Sequence, residues 1–314
     1  MVPATQPFHY EYVQANGLRF RVATAGSGEK LALLLHGFPE FSHSWRFQIP
    51  LLARLGYRVW APDLRGYGGS DAPDGVKNYR ISEILKDIAG LIDAAGAESV
   101  TLVGHDWGAY IAWNFAIRKV RPLDRLVIMN VPHPGVMERA MGKLNDGSFN
   151  WAQLRRSWYM FLFQIPRLPE ALSTWGHARW LASAFRKQIP DSRLLTDEDI
   201  QAYRDNACLP GRMTKMMNYY RAMLQGDAPK LRKHGYPVIE TPTLMLWGDG
   251  DIALGKELTY GTDRFVRNLS IRYLPGISHL VQQHAPGTVN AMLKAWLAGS
   301  EIPEAHELGL QRAS

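Results

Sequence analysis

The sequence predicts an α/β protein in which a mostly parallel sheet is covered by helices on both faces. In the first 130 residues, short apolar or β-branched runs alternate with helical patterns. The strand signal disappears after Pro132, where helical, aromatic-rich segments take over, and it returns at residues 243–247 and 270–274. We therefore expect one sheet domain, built from two parts of the chain, with a helical insertion between them.

The individual elements are indicated by their apolar patterns. Buried strands are predicted at residues 31–35, 57–61, 99–103 and 126–129. The segment 82–95 carries one apolar stripe and ends at Gly96, which predicts an amphipathic helix with a glycine C-cap. A helix from Trp107 to about Lys119 is apolar nearly all round and is expected to be buried. A further helix is predicted near residues 289–297.

These elements predict three regions. Residues 1–133 and 235–300 form the core domain, residues 134–234 form the helical cap, and residues 301–314 form a C-terminal tail. The insertion, at about a hundred residues, is too long for an unstructured loop. A cleft between sheet and insertion is the expected place for a ligand.

Composition excludes several classes of function. The net charge is +7, but the basic residues are scattered and form one short run, at Lys230, Arg232, Lys233 and His234. We interpret that run as a solvated loop, because nucleic-acid binding needs a basic face. The single cysteine, Cys208, excludes a disulfide framework and a cysteine-cluster metal site. No apolar run reaches the ~18 residues of a membrane span and no secretion signal is visible. We therefore expect a soluble, cytoplasmic protein that binds neither nucleic acid nor membranes.

The most informative segment is LVGHDWGA, residues 102–109. An apolar strand runs into Asp106, which is flanked two positions away on either side by Gly104 and Gly108, and then into a helix. The glycines let the backbone turn sharply enough to hold a strained residue at the tip. At a helix N-terminus, N–H groups and the helix dipole favour an ionised carboxylate. The alternative is that Asp106 merely caps the helix.

This segment resembles the nucleophile elbow of the α/β-hydrolase fold, with Asp106 in the place usually held by serine. The resemblance implies that the helical insertion is a cap that follows the sixth strand of the sheet. The resemblance covers nearly the whole chain, through HGFPE at 36–40, DLRGYG at 63–68, Ser70 and GISH at 276–279. No G-x-S-x-G motif occurs, which argues against a serine esterase or lipase. A carboxylate is a nucleophile at pH 7 without a base to deprotonate it. It suits displacement at a saturated carbon, which leaves an ester on Asp106.

Hydrolysis of such an ester needs a general base and a carboxylate that orients it. His279 follows the last predicted strand and matches the family's catalytic histidine, in the chain order expected for this fold. The resemblance gives Asp251, four residues after Trp247, as the acid. Asp249 is the competitor, and both carboxylates could instead shape a turn. The other nine histidines, His105 among them, are expected to cap, pack or lie at the surface.

The motif HGFP follows the strand at 31–35, where the fold takes an oxyanion donor. The resemblance implies that the backbone N–H groups of Phe38 and Trp107 stabilise the developing anion, an effect worth ~3 to 4 kcal/mol per donor in other enzymes. It also implies a cis peptide bond between Phe38 and Pro39. The alternative is an ordinary turn at the end of a strand.

Two tyrosines of the cap are candidates for holding a substrate oxygen. A helix from about 211 to 225 directs Tyr220 inward, and Tyr159 shares a face with Phe163 at i, i+4. The patterns Y-x-x-x-F-Q at 159–164 and N-x-Y-R at 218–221 resemble the cap of soluble epoxide hydrolases, which implies that Tyr159 and Tyr220 are an acid pair. Neutral phenols can hydrogen-bond an epoxide oxygen and then protonate it. Taken singly, each tyrosine could equally be a core residue.

The resemblance as a whole implies an epoxide hydrolase that converts an epoxide with an apolar substituent, together with water, into a vicinal diol. It implies no cofactor and no metal, and a monomer or a homodimer. Trp158, Phe163 and Met217 are the predicted pocket residues. Phe161, Trp175 and Trp180 belong to the same apolar set, some of which we expect to pack between helices.

Three other functions compete. Haloalkane dehalogenases share an Asp nucleophile followed by Trp, but they commonly have a polar residue where Phe38 stands. A fluoroacetate dehalogenase is expected to have Arg in the place of Trp107. A catalytically silent ligand-binding protein of the same fold would usually have lost part of the candidate set, which this chain retains in full.

Overall fold

The computed structural model of the chain describes residues 8–141, 155–156, 158–224 and 235–310. The strands are β1 His9–Ala15, β2 Leu18–Ala25, β3 Leu31–Leu35, β4 Arg58–Pro62, β5 Val100–His105, β6 Arg125–Met129, β7 Thr243–Gly248 and β8 Leu269–Leu274. Within the described residues they form an eight-stranded sheet in the order β1-β2-β4-β3-β5-β6-β7-β8. The predicted strands are confirmed. The basic run at 230–234 lies outside the described residues.

The helices are α1 Gln48–Arg54, α2 Ile81–Ala95, α3 Trp107–Ile117, α4 Pro134–Met141, α5 Trp158–Leu162, α6 Leu168–Gln188, α7 Asp197–Cys208, α8 Arg212–Leu224, α9 Val281–His284 and α10 Pro286–Leu297. Short 3₁₀ turns lie at Ser42–Trp45, Val76–Tyr79, Lys256–Thr259 and Thr262–Arg264. Gly96 caps α2 in the left-handed conformation, as predicted. A kink interrupts α6 at residues 175–178. In the described ranges, no helix is long and apolar enough to cross a bilayer.

The β1–β2 hairpin is an element that the sequence interpretation missed. Its strands are antiparallel and meet at Asn16-Gly17, both with positive φ. An Asn-Gly pair is a strong hairpin signal in its own right. The strands escaped notice because most of β1 is exposed and lacks a buried face. β2 is also antiparallel to β4, whereas the remaining strand pairs are parallel.

Both faces of the sheet are buried, which explains its apolar strands. In β3, Leu31, Leu33 and Leu35 pack in one core with α2 and α3, and Ala32 and Leu34 pack in a second core with α1 and α10. Each leucine contributes ~1.5 to 3 kcal/mol by burial. The predicted layers of helices on both faces are confirmed. Because β3 to β8 run parallel, the loops after their carboxyl ends meet at one edge of the sheet.

The regular elements described between β6 and β7 are the helices α4 to α8, joined by short loops. Helix α8 holds this cap on the core. Arg212 donates to the carbonyl oxygen of Ser70 at 2.6 Å, and the Tyr219 hydroxyl donates to that of Arg65 at 2.9 Å. Residues 142–154, 157 and 225–234 of the predicted cap lie outside the described residues, so its limits at 134 and 234 stay a prediction.

Candidate active site

Asp106 stands at the tip of a sharp turn between β5 and α3, with φ 50° and ψ −123°. A non-glycine residue rarely adopts such a conformation unless its surroundings impose it. A Cβ atom on Gly104 would lie 2.4 Å from the carbonyl oxygen of Gly108, and one on Gly108 would lie 1.9 Å from that of Leu35. The two glycines therefore allow the close backbone packing that the elbow needs. The Asp106 side chain makes no helix-capping hydrogen bond, so the capping alternative is wrong.

Asp106, His279 and Asp251 lie side by side at the carboxyl edge of the sheet. His279 Nε2 is 3.3 Å from Asp106 Oδ2, and His279 Nδ1 donates to Asp251 Oδ2 at 2.5 Å. The Asp106 side chain keeps 18% of its surface accessible, that of His279 14% and that of Asp251 none. A small molecule can thus approach the first carboxylate and the imidazole, while the second carboxylate is sealed behind the ring.

Asp251 is held by groups from two loops. Asn130 Nδ2, immediately after β6, donates to Asp251 Oδ2 at 2.8 Å. The backbone N–H groups of Ala253 and Leu254 donate to Oδ1 at 2.8 and 3.0 Å. The competitor Asp249 instead accepts the N–H of Gly276 at 2.6 Å, a contact within the turn. The structure therefore brings Asp251 to the histidine, as the resemblance implies, and uses Asp249 to shape the loop.

The three side chains set each other's protonation. Burial alone would raise the pKa of Asp106, but the hydrogen bond and the positive charge of His279 bring that pKa below its ordinary value. Burial alone would lower the pKa of His279, yet the Asp251 and Asp106 carboxylates raise it well above its ordinary value. His279 and the two carboxylates thus favour each other's charged forms, and the lowered pKa of Asp106 keeps its carboxylate ionised.

The loop after β3 closes over Asp106. Its Phe38–Pro39 peptide bond is cis, and the Phe38 N–H donates to Asp106 Oδ1 at 2.7 Å. A Cβ atom on Gly37 would lie 2.5 Å from the same oxygen, so only glycine fits beside the carboxylate. Phe38 thus already holds the oxygen on which charge would develop. The Trp107 N–H, at the first residue of α3, stays a predicted second donor.

The cap presents both predicted tyrosines to this loop. The Tyr220 ring centroid lies 5.9 Å from that of Tyr159, 5.4 Å from that of Phe38 and 4.9 Å from that of Trp107. Phe163 fills the space between them, 5.7 Å from Tyr159 and 5.5 Å from Phe38. These rings come from four separate segments of the chain. They form an aromatic cluster next to Asp106, which Phe38 contacts and Trp107 follows in the chain.

Both phenols are held in their protonated form. Burial raises the pKa of Tyr159 and of Tyr220, and the negative charge of Asp106 raises both further. Contact with the Trp107 side chain acts against the rise at Tyr220, but the pKa stays well above its ordinary value and the phenol keeps its proton near pH 7.

The predicted pocket residues divide into two groups. Phe163 is 7% exposed and belongs to the aromatic cluster, and Met217 is fully buried one helical turn before Tyr220. Trp158 does not join them, because its side chain is 61% exposed. Successive residues of a helix lie about 100° apart, so turning Tyr159 inward turns its neighbour outward. The larger apolar set fails in the same way at Phe161, Trp175 and Trp180, whose side chains are exposed.

Glu40 and His105 are supporting residues that the sequence interpretation assigned to packing or left without a role. Both are fully buried; His105 Nδ1 lies 2.8 Å from Glu40 Oε2, and His105 Nε2 lies 2.8 Å from the carbonyl oxygen of His279. The pair therefore holds the backbone of the His279 loop. A buried Glu within HGFPE and a His beside the elbow, both polar in apolar surroundings, were the available signal.

The part of the chain that the structure describes contains no candidate metal site. No group of three or more His, Cys, Asp or Glu side chains there is placed to hold a metal ion.

Comparisons with known proteins place this geometry in a family. Residues 33–276 match a family model described as alpha/beta hydrolase fold. The chain is 37% identical to epoxide hydrolase 4 of Mus musculus, over 92% of this chain and 79% of that protein. The chain belongs to the α/β-hydrolase fold family.

Further relatives of this α/β-hydrolase carry the same kind of name. It is 32% identical to epoxide hydrolase A of Mycobacterium tuberculosis, over 92% of this chain and 97% of that protein. The crystal structure of a Bacillus megaterium epoxide hydrolase in complex with an inhibitor superposes with a TM-score of 0.81, at 32% identity, over 92% of this chain and 100% of that one. The predicted resemblance to soluble epoxide hydrolases is thereby confirmed.

Proposed function

We propose that this α/β-hydrolase converts epoxides to vicinal diols through a covalent ester on Asp106. The observation that carries the proposal is the position of Asp106 close to two protonated phenols from the cap, Tyr159 and Tyr220, and in contact with His279. A nucleophile, a proton source and a general base thus surround one small space. The aromatic cluster favours an epoxide with an apolar substituent.

In the first step, an Asp106 oxygen attacks a ring carbon of the epoxide. The C–O bond of the ring breaks, and the departing oxygen takes a proton from the Tyr159–Tyr220 pair. Their raised pKa values suit this role, because a phenol must still carry its proton when the alkoxide develops. The product is a hydroxyalkyl ester of Asp106.

In the second step, His279 removes a proton from water, and the hydroxide attacks the ester carbonyl carbon. Asp251 orients the ring and stabilises the imidazolium that forms. The Phe38 N–H, and by our prediction the Trp107 N–H, hold the oxyanion of the tetrahedral intermediate. As the intermediate collapses, the departing alkoxide takes the proton of the imidazolium and leaves as the diol. The proton of the carboxylic acid that remains on Asp106 returns to the phenolate left by the first step.

The proposal is tested with styrene oxide and isotopic water. Diol formation is the expected activity, and release of halide from haloalkanes without any diol would favour the dehalogenase alternative. In a single turnover in H₂¹⁸O, the label should enter Asp106 and be absent from the diol, because the diol takes its oxygen from the carboxylate. Label in the first-turnover diol would mean that water attacks the epoxide directly and that no ester forms.

Replacing both Tyr159 and Tyr220 with Phe is expected to slow ring opening by about 10²- to 10⁴-fold, because only the two proton donors are removed. The rate of ester formation is measured by stopped flow. Tyr219→Phe is the matched control: it lies on the same helix, is equally buried, and hydrogen-bonds the core instead of facing Asp106. It should cost about 1 kcal/mol of unfolding free energy and leave ring opening intact. Ring opening at the wild-type rate in the double variant would remove the tyrosines from the mechanism.

Ester formation should lower the pKa of His279. In the free protein, the charge and hydrogen bond of Asp106 help to raise that pKa, and esterification abolishes the charge. We therefore expect two different pKa values for His279. The value from NMR titration of the free protein should be higher than the value from the pH profile of ester hydrolysis. Ester hydrolysis should accelerate as pH rises through the lower value. Equal values in both measurements would contradict the coupling between Asp106 and His279.

A further inference from the structure

A second cavity, of about 670 Å³, lies behind the catalytic loops, between the core and the end of helix α6. Its lining residues include Phe47, Pro50, Arg54, Ile277, His284 and Ala285. None of its lining residues belongs to the candidate active site. The walls are predominantly apolar, which suits a ligand with a hydrocarbon body.

Three of the hydrogen-bond acceptors in its lining already have partners. The Asp191 carboxylate receives the guanidinium of Arg193 at 2.7 Å, and the Leu194 carbonyl oxygen receives Arg46 at 2.7 Å. Asn290 accepts from a neighbouring side chain and donates to a backbone carbonyl oxygen. A ligand that brings hydrogen-bond donors would therefore find little to pair with.

Arg54 and His284 supply two side-chain N–H donors to the lining. Arg54 is exposed at the end of α1 and forms no ion pair within the described residues. His284 Nδ1 accepts the Ser278 N–H at 3.0 Å. Burial lowers the pKa of His284, so the ring is neutral near pH 7 and carries its proton on Nε2. A cation and an N–H donor on apolar walls are complementary to a carboxylate with a hydrocarbon chain.

The cavity touches both loops that carry the acid and the base. Ile277 and His284 line it, and each is tied to one of these loops. The Ile277 carbonyl oxygen accepts the N–H of Gly250, the residue before Asp251, at 2.9 Å. His284 holds the N–H of Ser278, the residue before His279. A ligand in the cavity would therefore contact two residues that hydrogen-bond to the loops of Asp251 and His279.

We propose that this cavity binds an apolar monocarboxylate and that its occupancy changes the rate of the steps in which His279 takes part. The binding site stands independently, whereas the change in rate rests on the proposed epoxide hydrolysis. The two parts therefore require separate measurements.

Binding is tested with decanoate as the probe and decanol as its uncharged counterpart, by hydrogen exchange of the full chain. Decanoate should slow exchange in peptides covering 47–54 and 277–290 and leave residues 212–224 of the cap unchanged. Protection of 102–117 and 212–224 alone would place the ligand in the active site and overturn the proposal, as would the absence of any protection.

The variant Arg54→Ala tests recognition of the carboxylate. It should weaken decanoate binding by about fivefold, the scale of a partly exposed ion pair, and leave decanol binding unchanged. Arg264→Ala, at another exposed arginine outside the cavity, is the matched control and should change neither. Equal affinity of Arg54→Ala and wild type for decanoate would show that Arg54 does not bind the carboxylate.

The rate effect is tested by measuring diol formation from styrene oxide with and without decanoate. We expect kcat to change at least twofold while kcat/KM stays constant, because kcat/KM reports substrate binding and ring opening, whereas the base acts in the later hydrolysis of the ester. Protection at 277–290 in a protein that forms no diol would leave the site standing and remove the proposed function. Diol formation without protection at 277–290 would support the proposed function and overturn the binding site. Bound decanoate with unchanged kcat would overturn the effect of the cavity on the His279 steps.

Discussion

Replacing His279 with glutamine is expected to stop the reaction halfway, with the substrate still esterified to Asp106. Attack by a carboxylate needs no base, so ring opening should continue. Hydrolysis of the ester needs a base near neutrality, and glutamine cannot take a proton from water. We expect diol release to fall by about 10²- to 10⁴-fold while the adduct accumulates.

Mass spectrometry measures this outcome directly. After incubation with styrene oxide, the variant should gain the mass of one substrate molecule, located on the peptide that contains Asp106. His9→Gln, on exposed strand β1, is the control and should turn over normally without gaining mass. Diol formation by His279→Gln at the wild-type rate would show that another group activates water.

Replacing Asp106 with alanine should have the largest effect on turnover. Loss of a covalent nucleophile costs about 10⁶-fold in kcat in a well-studied hydrolase of another fold, and here no neighbouring group can form the ester. The double variant Asp106→Ala, His279→Gln is the sharper experiment, because it should gain no mass at all. An adduct on another residue of the double variant would move the nucleophile elsewhere.

The alanine variant also has an electrostatic readout that does not require substrate. Asp106 contributes both a hydrogen bond and a negative charge to the imidazolium. Its removal leaves Asp251 as the main charged neighbour, so the pKa of His279 should fall towards its ordinary value. NMR titration of the histidine in wild type and variant measures the change, and circular dichroism checks that the fold is retained. An unchanged histidine titration would mean that the 3.3 Å contact carries no coupling.

The sequence predicts the core of this fold well because its central strands are buried on both faces. A run such as β3 can be apolar at every position, and that signal needs no knowledge of the partners. The β1–β2 hairpin carries little of this signal, since most of β1 is exposed. Helix phase was informative at Tyr159 and Tyr220, and it also explains the error at Trp158, which shares a helix with Tyr159 but points away from it.

The candidate site divides in the same way. Asp106, Asp251 and His279 each follow a strand and occupy motif positions, so a single chain is enough to locate them. Asn130 and Glu40 act through residues 121 and 65 positions away, respectively. Local pattern does not encode such distant pairings, because they arise when strands far apart in the chain become neighbours in the sheet. Supporting residues therefore needed the structure, whereas the candidate nucleophile, acid and base did not.

The position at which the helical insertion leaves the sheet has a consequence for how such proteins diversify. Asn130 and Asp251 end adjacent strands, and backbone hydrogen bonds fix the register of those strands. Everything between the two strands can lengthen, shorten or be exchanged without moving the amide relative to the acid, since the entropic cost of a longer loop grows slowly. Substrate preference can thus change when the insertion is exchanged, while the residues at the ends of the two strands keep their relative positions.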